Sequence, residues 1–338
     1  MRYGITGVTG LVGGNLAAML IAAGHEVVGI KRSSSRISHL SHLPIKWVDV
    51  KLTEPSTLIA AFDGCDGVFH CAASVSILMK IKPWIHEANI IGTQSVITAI
   101  RSLPAIRLVH CSSVVTVGVA GQHQPYDETA KWNVPELRLN DAYATTKRQS
   151  EEMVLQASDI DAVVVNPAYI IGPYDSKPSS GKLILNFLNG KVPGFPSGTN
   201  NFVDVRDVAN GMILAMQKGR RGERYILAGH NMKYKDFFDK ISAVAGTPPV
   251  QRKLPNLIAR LLGVGGDIQG WFSGSEPFIN SATVRWSQVN FTFSSGKAQQ
   301  QLGYTISPIE NAIRDAIEWF KKNQMLSEAK VLKRIETR

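Results

Sequence analysis

The chain has 338 residues, of which 44% are hydrophobic and 19% charged, with a formal net charge of +10. That length carries one large domain or two interlocked ones, and no apolar run approaches the roughly 18–20 residues of a membrane span. The basic residues are scattered, which argues against a nucleic-acid binder; only the last helix gathers them loosely (Lys321, Lys322, Lys330, Lys333, Arg334).

The N-terminus is expected to enter a strand at once, without a signal peptide. After it comes Ile5-Thr6-Gly7-Val8-Thr9-Gly10-Leu11-Val12-Gly13-Gly14-Asn15, leading into a segment with Val12, Leu16, Met19, Leu20 and Ala23 apolar at helical spacing. A glycine turn between strand and helix aims backbone N–H groups, and the positive end of the helix dipole, at one spot suited to a diphosphate. The spacing is GxxGxxG, not GxGxxG, so its position between strand and helix carries the weight. Gly24 closes that helix and Glu26–Ile30 reads as the second strand.

Beyond it lies Lys31-Arg32-Ser33-Ser34-Ser35-Arg36, with no acid from Lys31 to Pro44. NAD-binding sheets place an acid about twenty residues past the glycines for the ribose 2′-hydroxyl, whereas basic residues there accommodate a 2′-phosphate. Arg32 therefore predicts NADP in preference to NAD. Residues 45–50 are a third strand whose end puts Asp49, with Val50 beside it, near the adenine position. Gly67–Ala73 is a fourth, ending in Cys71-Ala72-Ala73, small enough to leave room for a cofactor. His70, inside an apolar strand, reads as a hydrogen-bonded core residue and not as a catalyst.

Asn89 begins or lies within the next helix. A fifth strand, Arg107–Cys111, releases into Ser112-Ser113, hydroxyls placed where open α/β sheets bind ligands. The following loop, Gly121–Leu139, looks substrate-facing. Asp141 opens a strong helix on which Tyr143 and Lys147 share a face. A sixth strand, Ala162–Pro167, leads to Ala168-Tyr169-Ile170-Ile171-Gly172-Pro173. Past 174 the texture becomes rich in Gly, Pro, Ser and Asn, with a short helix at Leu183–Leu188. A helix is expected to start within Phe202–Ala209, a returning strand at Glu223–Leu227, and mostly helix from Tyr234, with a last long helix from Ile309. Cys65, Cys71 and Cys111 form no metal spacing and read as reduced packing residues of a cytoplasmic protein. No metal site is expected.

A phenol near pKa 10 is a poor acid or base at neutral pH; a lysine ammonium one turn away, together with the positive nicotinamide of an oxidised cofactor, favours the phenolate and lowers that pKa. On this reading Tyr143 passes a proton to a carbonyl oxygen and Ser113 holds the same oxygen.

The Thr6-Gly7-xx-Gly10-xx-Gly13 turn, Ser113 and Tyr143-xxx-Lys147 together resemble the extended short-chain dehydrogenases/reductases. Asn89–Thr93, Cys111–Val114, Asn166–Pro173, Phe202–Ala209 and Gly222–Gly229 resemble the dihydroflavonol reductase-like branch of the NAD-dependent epimerase/dehydratase family. The resemblance spans nearly the whole chain. It implies a Rossmann-type doubly wound parallel α/β sheet, formed by 1–173 with returning segments near 202–230. A smaller, mostly helical substrate portion would come from 174–201 and 231–338.

By the same resemblance, Gly7, Thr9, Gly10, Leu11, Val12 and Gly13 would hold the dinucleotide, Lys147 its nicotinamide ribose, and Pro167 and Ile170 its nicotinamide pocket. Asn89 would hold a proton-relay water, and Ser112 is the alternative to Ser113. The implied activity is reduction of an aldehyde or ketone by NADPH, with a nucleotide-sugar epimerase or dehydratase as the other reading. A homodimer through a four-helix bundle is also implied. The substrate pocket would come from the C-terminal half, where Trp271, Phe272, Phe278, Trp286 and Phe291 offer either pocket walls or core packing. Contact of the basic last helix with an anionic membrane surface is the less favoured reading; a solvated helix face is the expected one.

Overall fold

The computed structural model describes residues 1–121, 124–274 and 276–326. Among these, seven strands form one parallel sheet: β1 (Arg2–Thr6), β2 (Glu26–Lys31), β3 (Lys46–Asp49), β4 (Gly67–His70), β5 (Arg107–Cys111), β6 (Ala162–Pro167) and, further along the chain, β9 (Arg224–Leu227). Their spatial order is β3-β2-β1-β4-β5-β6-β9, every neighbouring pair parallel. Helices cover both faces. One buries Leu16, Leu20, Val208 and Met212 against Ile5, Val109 and Val165; the other buries Leu58, Phe62, Val96 and Ile100 against Val28, Val68 and Val164. Strands buried on both faces read as unbroken apolar runs, which is why 107–111 and 162–167 are legible as strands from sequence alone.

The strand order reverses between β1 and β4, and ligands of open α/β sheets bind outside the carboxyl ends at that crevice. The glycine turn follows β1 there. The Cys71 amide donates to the Thr6 carbonyl at 3.1 Å, so the two carboxyl ends are held together.

A second sheet of three strands was not expected: β7 (Tyr169–Ile171), β8 (Thr199–Asp204) and β10 (His230–Lys233), in the order β10-β8-β7. The helix expected within Phe202–Ala209 does start there, at Val205, but the first three residues of the motif belong to β8. Phe202 and Val203 are fully buried strand residues, and the helix runs Val205–Lys218 with the Asp204 carboxylate accepting from the Arg206 amide as its N-cap. The motif thus straddles a strand end and a helix start. This sheet packs against the helices Lys182–Leu188, Tyr234–Ala245 and Ile309–Lys322 around Phe187, Phe202, Phe237 and Phe320. Of the basic residues near the C-terminus, Lys321 and Lys322 end the last described helix, while Lys330, Lys333 and Arg334 lie outside the described residues.

Candidate active site

The glycine turn has the geometry a dinucleotide requires. Gly7 sits at φ +69°, a conformation L side chains rarely adopt, and a Cβ there would lie 2.6 Å from the Ala72 amide nitrogen. A Cβ on Gly13 would collide with the Gly7 carbonyl. The helix Leu11–Ala22 has Gly10 as its N-cap and no side-chain cap, which leaves its first N–H groups to an outside acceptor. Thr9, Leu11 and Val12 line the same turn and are partly exposed. These residues fit a diphosphate.

At the other end of the cofactor strip, Arg32 is exposed just past β2. Lys31, by contrast, is engaged in an ion pair with Asp49 at the end of β3, and Val50 is buried with its amide bonded to the Lys31 carbonyl. Asp49 is thus a partner of Lys31 before any adenine is considered. Cys71 and Ala72 are partly exposed and Ala73 is exposed, at the start of a loop that continues to Lys82. The Cys71 thiol contacts that of Cys111, and this hydrogen bond together with burial pushes Cys71 up. All three cysteines are free.

His70 behaves as a core residue. Its Nδ1 pairs with Thr6 Oγ1 at 2.7 Å and its Nε2 with Thr93 Oγ1 at 3.1 Å, while burial lowers its pKa to about 3. A ring held neutral in this way has no proton to trade at pH 7.

The three residues of the proposed chemistry converge at the carboxyl edge of β5. Asp141 caps the helix Ala142–Gln156 by accepting from the Ala144 amide at 2.8 Å, which fixes where Tyr143 emerges. Ser113 hydrogen-bonds the Tyr143 phenol, and its Oγ also accepts from the Val115 amide at 3.4 Å. Lys147 is buried, with Nζ donating to the Cys111 carbonyl at 2.7 Å. Ser112 is excluded from this group. Its hydroxyl points the other way and donates to Glu151 Oε2 at 2.5 Å. Of the two serines, Ser113 is therefore the one beside Tyr143.

In the chain by itself, burial pushes the Tyr143 phenol up to about 12, with the Ser113 hydrogen bond opposing and the Cys111 and Asp141 charges adding to the rise. The Lys147 ammonium, itself lowered by burial, is turned to the Cys111 carbonyl. Tyr143 is accordingly a phenol that keeps its proton at neutral pH. Asn89 lies in a one-turn π-helix, Glu87–Ile91, a distortion frequent at functional sites. Its Oδ1 accepts from the Ser74 amide at 2.7 Å, and Nδ2 donates to the Ser74 carbonyl at 3.1 Å and Thr146 Oγ1 at 2.9 Å. Asn89 thereby fixes the loop beside Tyr143, with one lone pair of Oδ1 unused by these bonds.

Glu151 is the residue that sequence reasoning missed. It is fully buried and accepts from Ser112 Oγ, Thr116 Oγ1 at 2.6 Å and Asn166 Nδ2 at 2.6 Å, with Arg224 Nη1 3.2 Å from its other oxygen. The signal was its position four residues past Lys147, which puts 143, 147 and 151 on one helix face. It is a positioning residue: it ties the Ser112-Ser113 turn to the Tyr143 helix. Pro167, buried at the end of β6, and Ile170, half-buried in β7, border the same edge.

The chain matches the NAD dependent epimerase/dehydratase family over residues 4–228. It belongs to that family. A Synechocystis protein provisionally named a dihydroflavonol 4-reductase is 34% identical over 326 residues, which cover 94% of each chain. The crystal structure of gox2253 superposes with a TM-score of 0.83 at 31% identity, covering 96% of this chain and 99% of that one. A nucleoside-diphosphate-sugar epimerase from Pseudomonas aeruginosa superposes with a TM-score of 0.79 at 23% identity, covering 97% and 99%; that likeness speaks for the fold alone. Within the family the chain is an extended short-chain dehydrogenase/reductase of the dihydroflavonol reductase-like branch, a group of oxidoreductases that work with a nicotinamide dinucleotide.

Proposed function

We propose that the chain is an NADPH-dependent reductase of an aldehyde or ketone, with Tyr143 as the proton donor. The observation that carries this reading is the meeting of Ser113, Tyr143 and Lys147 at the carboxyl edge of β5. A phenol bonded to Ser113 stands where it can give its proton to an oxygen that gains negative charge, and Lys147 together with an oxidised nicotinamide would lower a pKa that burial alone has raised. The dinucleotide, when bound, supplies the hydride. Ser113 Oγ–H offers a hydrogen bond to the same oxygen and fixes its place. Lys147 keeps donor hydrogens beyond the one given to Cys111, suited to ribose hydroxyls. The glycine turn and the uncapped helix end would hold the diphosphate, and Arg32 the 2′-phosphate.

The choice of dinucleotide rests on Arg32. A charge-assisted hydrogen bond to a phosphate contributes about 1.5–3 kcal/mol, on the order of 10- to 150-fold in affinity. Fluorescence titration should give tighter binding of NADPH than of NADH by such a factor, and Arg32→Ala should bring the two together. Equal affinities in the parent chain would remove the role given to Arg32.

The family also contains nucleotide-sugar enzymes, whose segment after the sixth strand resembles Arg-x-x-Asn-x-Tyr-Gly-Pro, with donors for the substrate diphosphate. Aligned on Gly172-Pro173, this chain has Asn166, Tyr169 and Ile171 at those places. Asn166 is fully buried with its amide bonded to Glu151 and Thr116, Tyr169 donates to the Ser180 carbonyl at 3.1 Å, and Ile171 is in the core. Of the two other candidate phosphate contacts, Arg206 is paired with both Asp204 and Asp315, while Lys182 is partly exposed at the start of the helix Lys182–Leu188. A diphosphate buried without donors costs several kcal/mol. Calorimetry with UDP-glucose, UDP-galactose and their dTDP and GDP counterparts should show no tight binding. A dissociation constant at or below about micromolar would turn the assignment to an epimerase.

A further inference from the structure

The helix Asn256–Ser273 is built inside out. Its inward face is small: Ala259, Gly263 and Gly266 are buried, and a Cβ on Gly263 would lie 3.1 Å from Ser281 Cα in the adjoining helix Ser281–Trp286. Its large apolar residues face away from the protein, with Leu257 70%, Leu261 65%, Trp271 79% and Phe272 77% exposed, and Val264 51% and Ile268 54% between them. The order 257, 261, 264, 268, 271 is a continuous stripe along one side of the helix, about 21 Å long at 1.5 Å per residue. These aromatics were expected as pocket walls or core, and Trp271 and Phe272 are neither. Trp286 is half-buried with Nε1 bonded to Asp141, Phe278 is half-buried, and Phe291 is buried.

A second run of exposed apolar residues lies in the loop that leaves the cofactor edge: Val75, Met79 and Ile81, then Trp84. The loop is anchored on the same region of the protein as the helix. Glu276 accepts from Ser76 Oγ at 2.8 Å and from the Ile77 amide at 2.7 Å. It also crosses the start of the Tyr143 helix, where the Leu78 carbonyl accepts from the Ala142 amide at 2.7 Å. The apolar surface therefore borders the substrate side of the candidate site.

Charge identifies the occupant. Lys80, Lys82, Arg252, Lys253 and Arg260 are all exposed around this surface and have no acidic partner among the described residues; Asp267 is the acid on the helix itself. A second copy of the chain packed here about a two-fold axis would set like charges against each other. An apolar stripe with exposed aromatics and a basic surround is the pattern of a helix lying in a bilayer interface that carries anionic lipid.

We propose that this face docks on an anionic phospholipid bilayer, with the helix Asn256–Ser273 lying in the interface and the loop 75–84 beside it. The docked protein presents the substrate side of its site to the membrane surface. The docking stands on the surface alone and holds whether or not the reductase assignment does.

The test is co-sedimentation of the full chain with vesicles of phosphatidylcholine, with and without phosphatidylglycerol. The parent chain is expected to bind the anionic vesicles preferentially. Leu261→Glu with Ile268→Glu, both at exposed positions, is expected to leave the thermal midpoint unchanged and abolish sedimentation. Arg252→Gln with Lys253→Gln and Arg260→Gln is expected to weaken binding by about fivefold for each residue and serves as the second variant. Failure of the parent chain to bind, equal binding to both vesicle types, or undiminished binding by the variants would overturn the proposal. So would a solution dimer that the Leu261→Glu, Ile268→Glu variant dissociates, because a second copy would then cover the face. NADPH oxidation with a water-soluble carbonyl, measured on the same preparations, reads the active site separately.

Discussion

Tyr143→Phe should lower turnover by roughly 10²–10⁴, the range for loss of a positioned general acid, while dinucleotide affinity and the thermal midpoint stay nearly unchanged. The ring stays and only the hydroxyl leaves, so the packing against Val115 and Trp132 in the cluster under the site is kept. Ser113 loses a partner but still accepts from the Val115 amide. The pH profile carries the same information. With the phenol pushed up to about 12, its proton is present throughout the neutral and mildly alkaline range. The reductive rate of the parent chain should therefore be level from about pH 6 to 9 as far as this group is concerned. The reverse oxidation needs the phenolate, whose population grows with pH, so it should rise. Near-normal turnover in Tyr143→Phe would remove the residue from the chemistry.

Lys147→Met should weaken dinucleotide binding and lower turnover at saturating cofactor as well. Lys147 is 3% exposed and bonded to the Cys111 carbonyl. A methionine of similar length keeps the packing but removes a charged donor, a loss of about 1.5–3 kcal/mol per hydrogen bond to a bound group, or on the order of 10- to 150-fold in affinity. A thermal midpoint close to the parent's, with affinity lost, separates this from collapse of the site. Unchanged dinucleotide affinity would show that Lys147 serves the Cys111 turn alone.

The large sheet was legible because its strands are buried on both faces and read as apolar runs between glycine-rich turns. The small sheet was not. β7 has three residues and β10 four, β8 carries two asparagines, and their pairings join segments far apart in sequence. Nothing local in such pieces sets a period. The Phe202–Ala209 motif showed its helix start but not its strand half, because Asp204 ends a strand and caps a helix at once.

The site was legible as a set of residues and less so as electrostatics. Spacing puts Tyr143 and Lys147 on one face, but spacing does not say that a backbone carbonyl holds the lysine or that burial outweighs its charge. Ser112 and Ser113 are equivalent in the sequence; they part because Glu151 lies on one side of the turn and Tyr143 on the other. The sequence left Trp271 and Phe272 open between pocket wall and core packing, whereas in the helix Asn256–Ser273 the glycines and Ala259 take the inward face and both aromatics are exposed.

A reductase lets hydride leave on a product, whereas an epimerase returns it within one cycle. Mixing the protein with NADPH and a panel of aldehydes and ketones, and following nicotinamide absorbance and product together, separates the two. Loss of NADPH matched one for one by the alcohol is expected, with no such loss in Tyr143→Phe. Free NADPH unchanged across the panel, with a nucleotide sugar epimerised or dehydrated by the same preparation, would contradict the reductase reading.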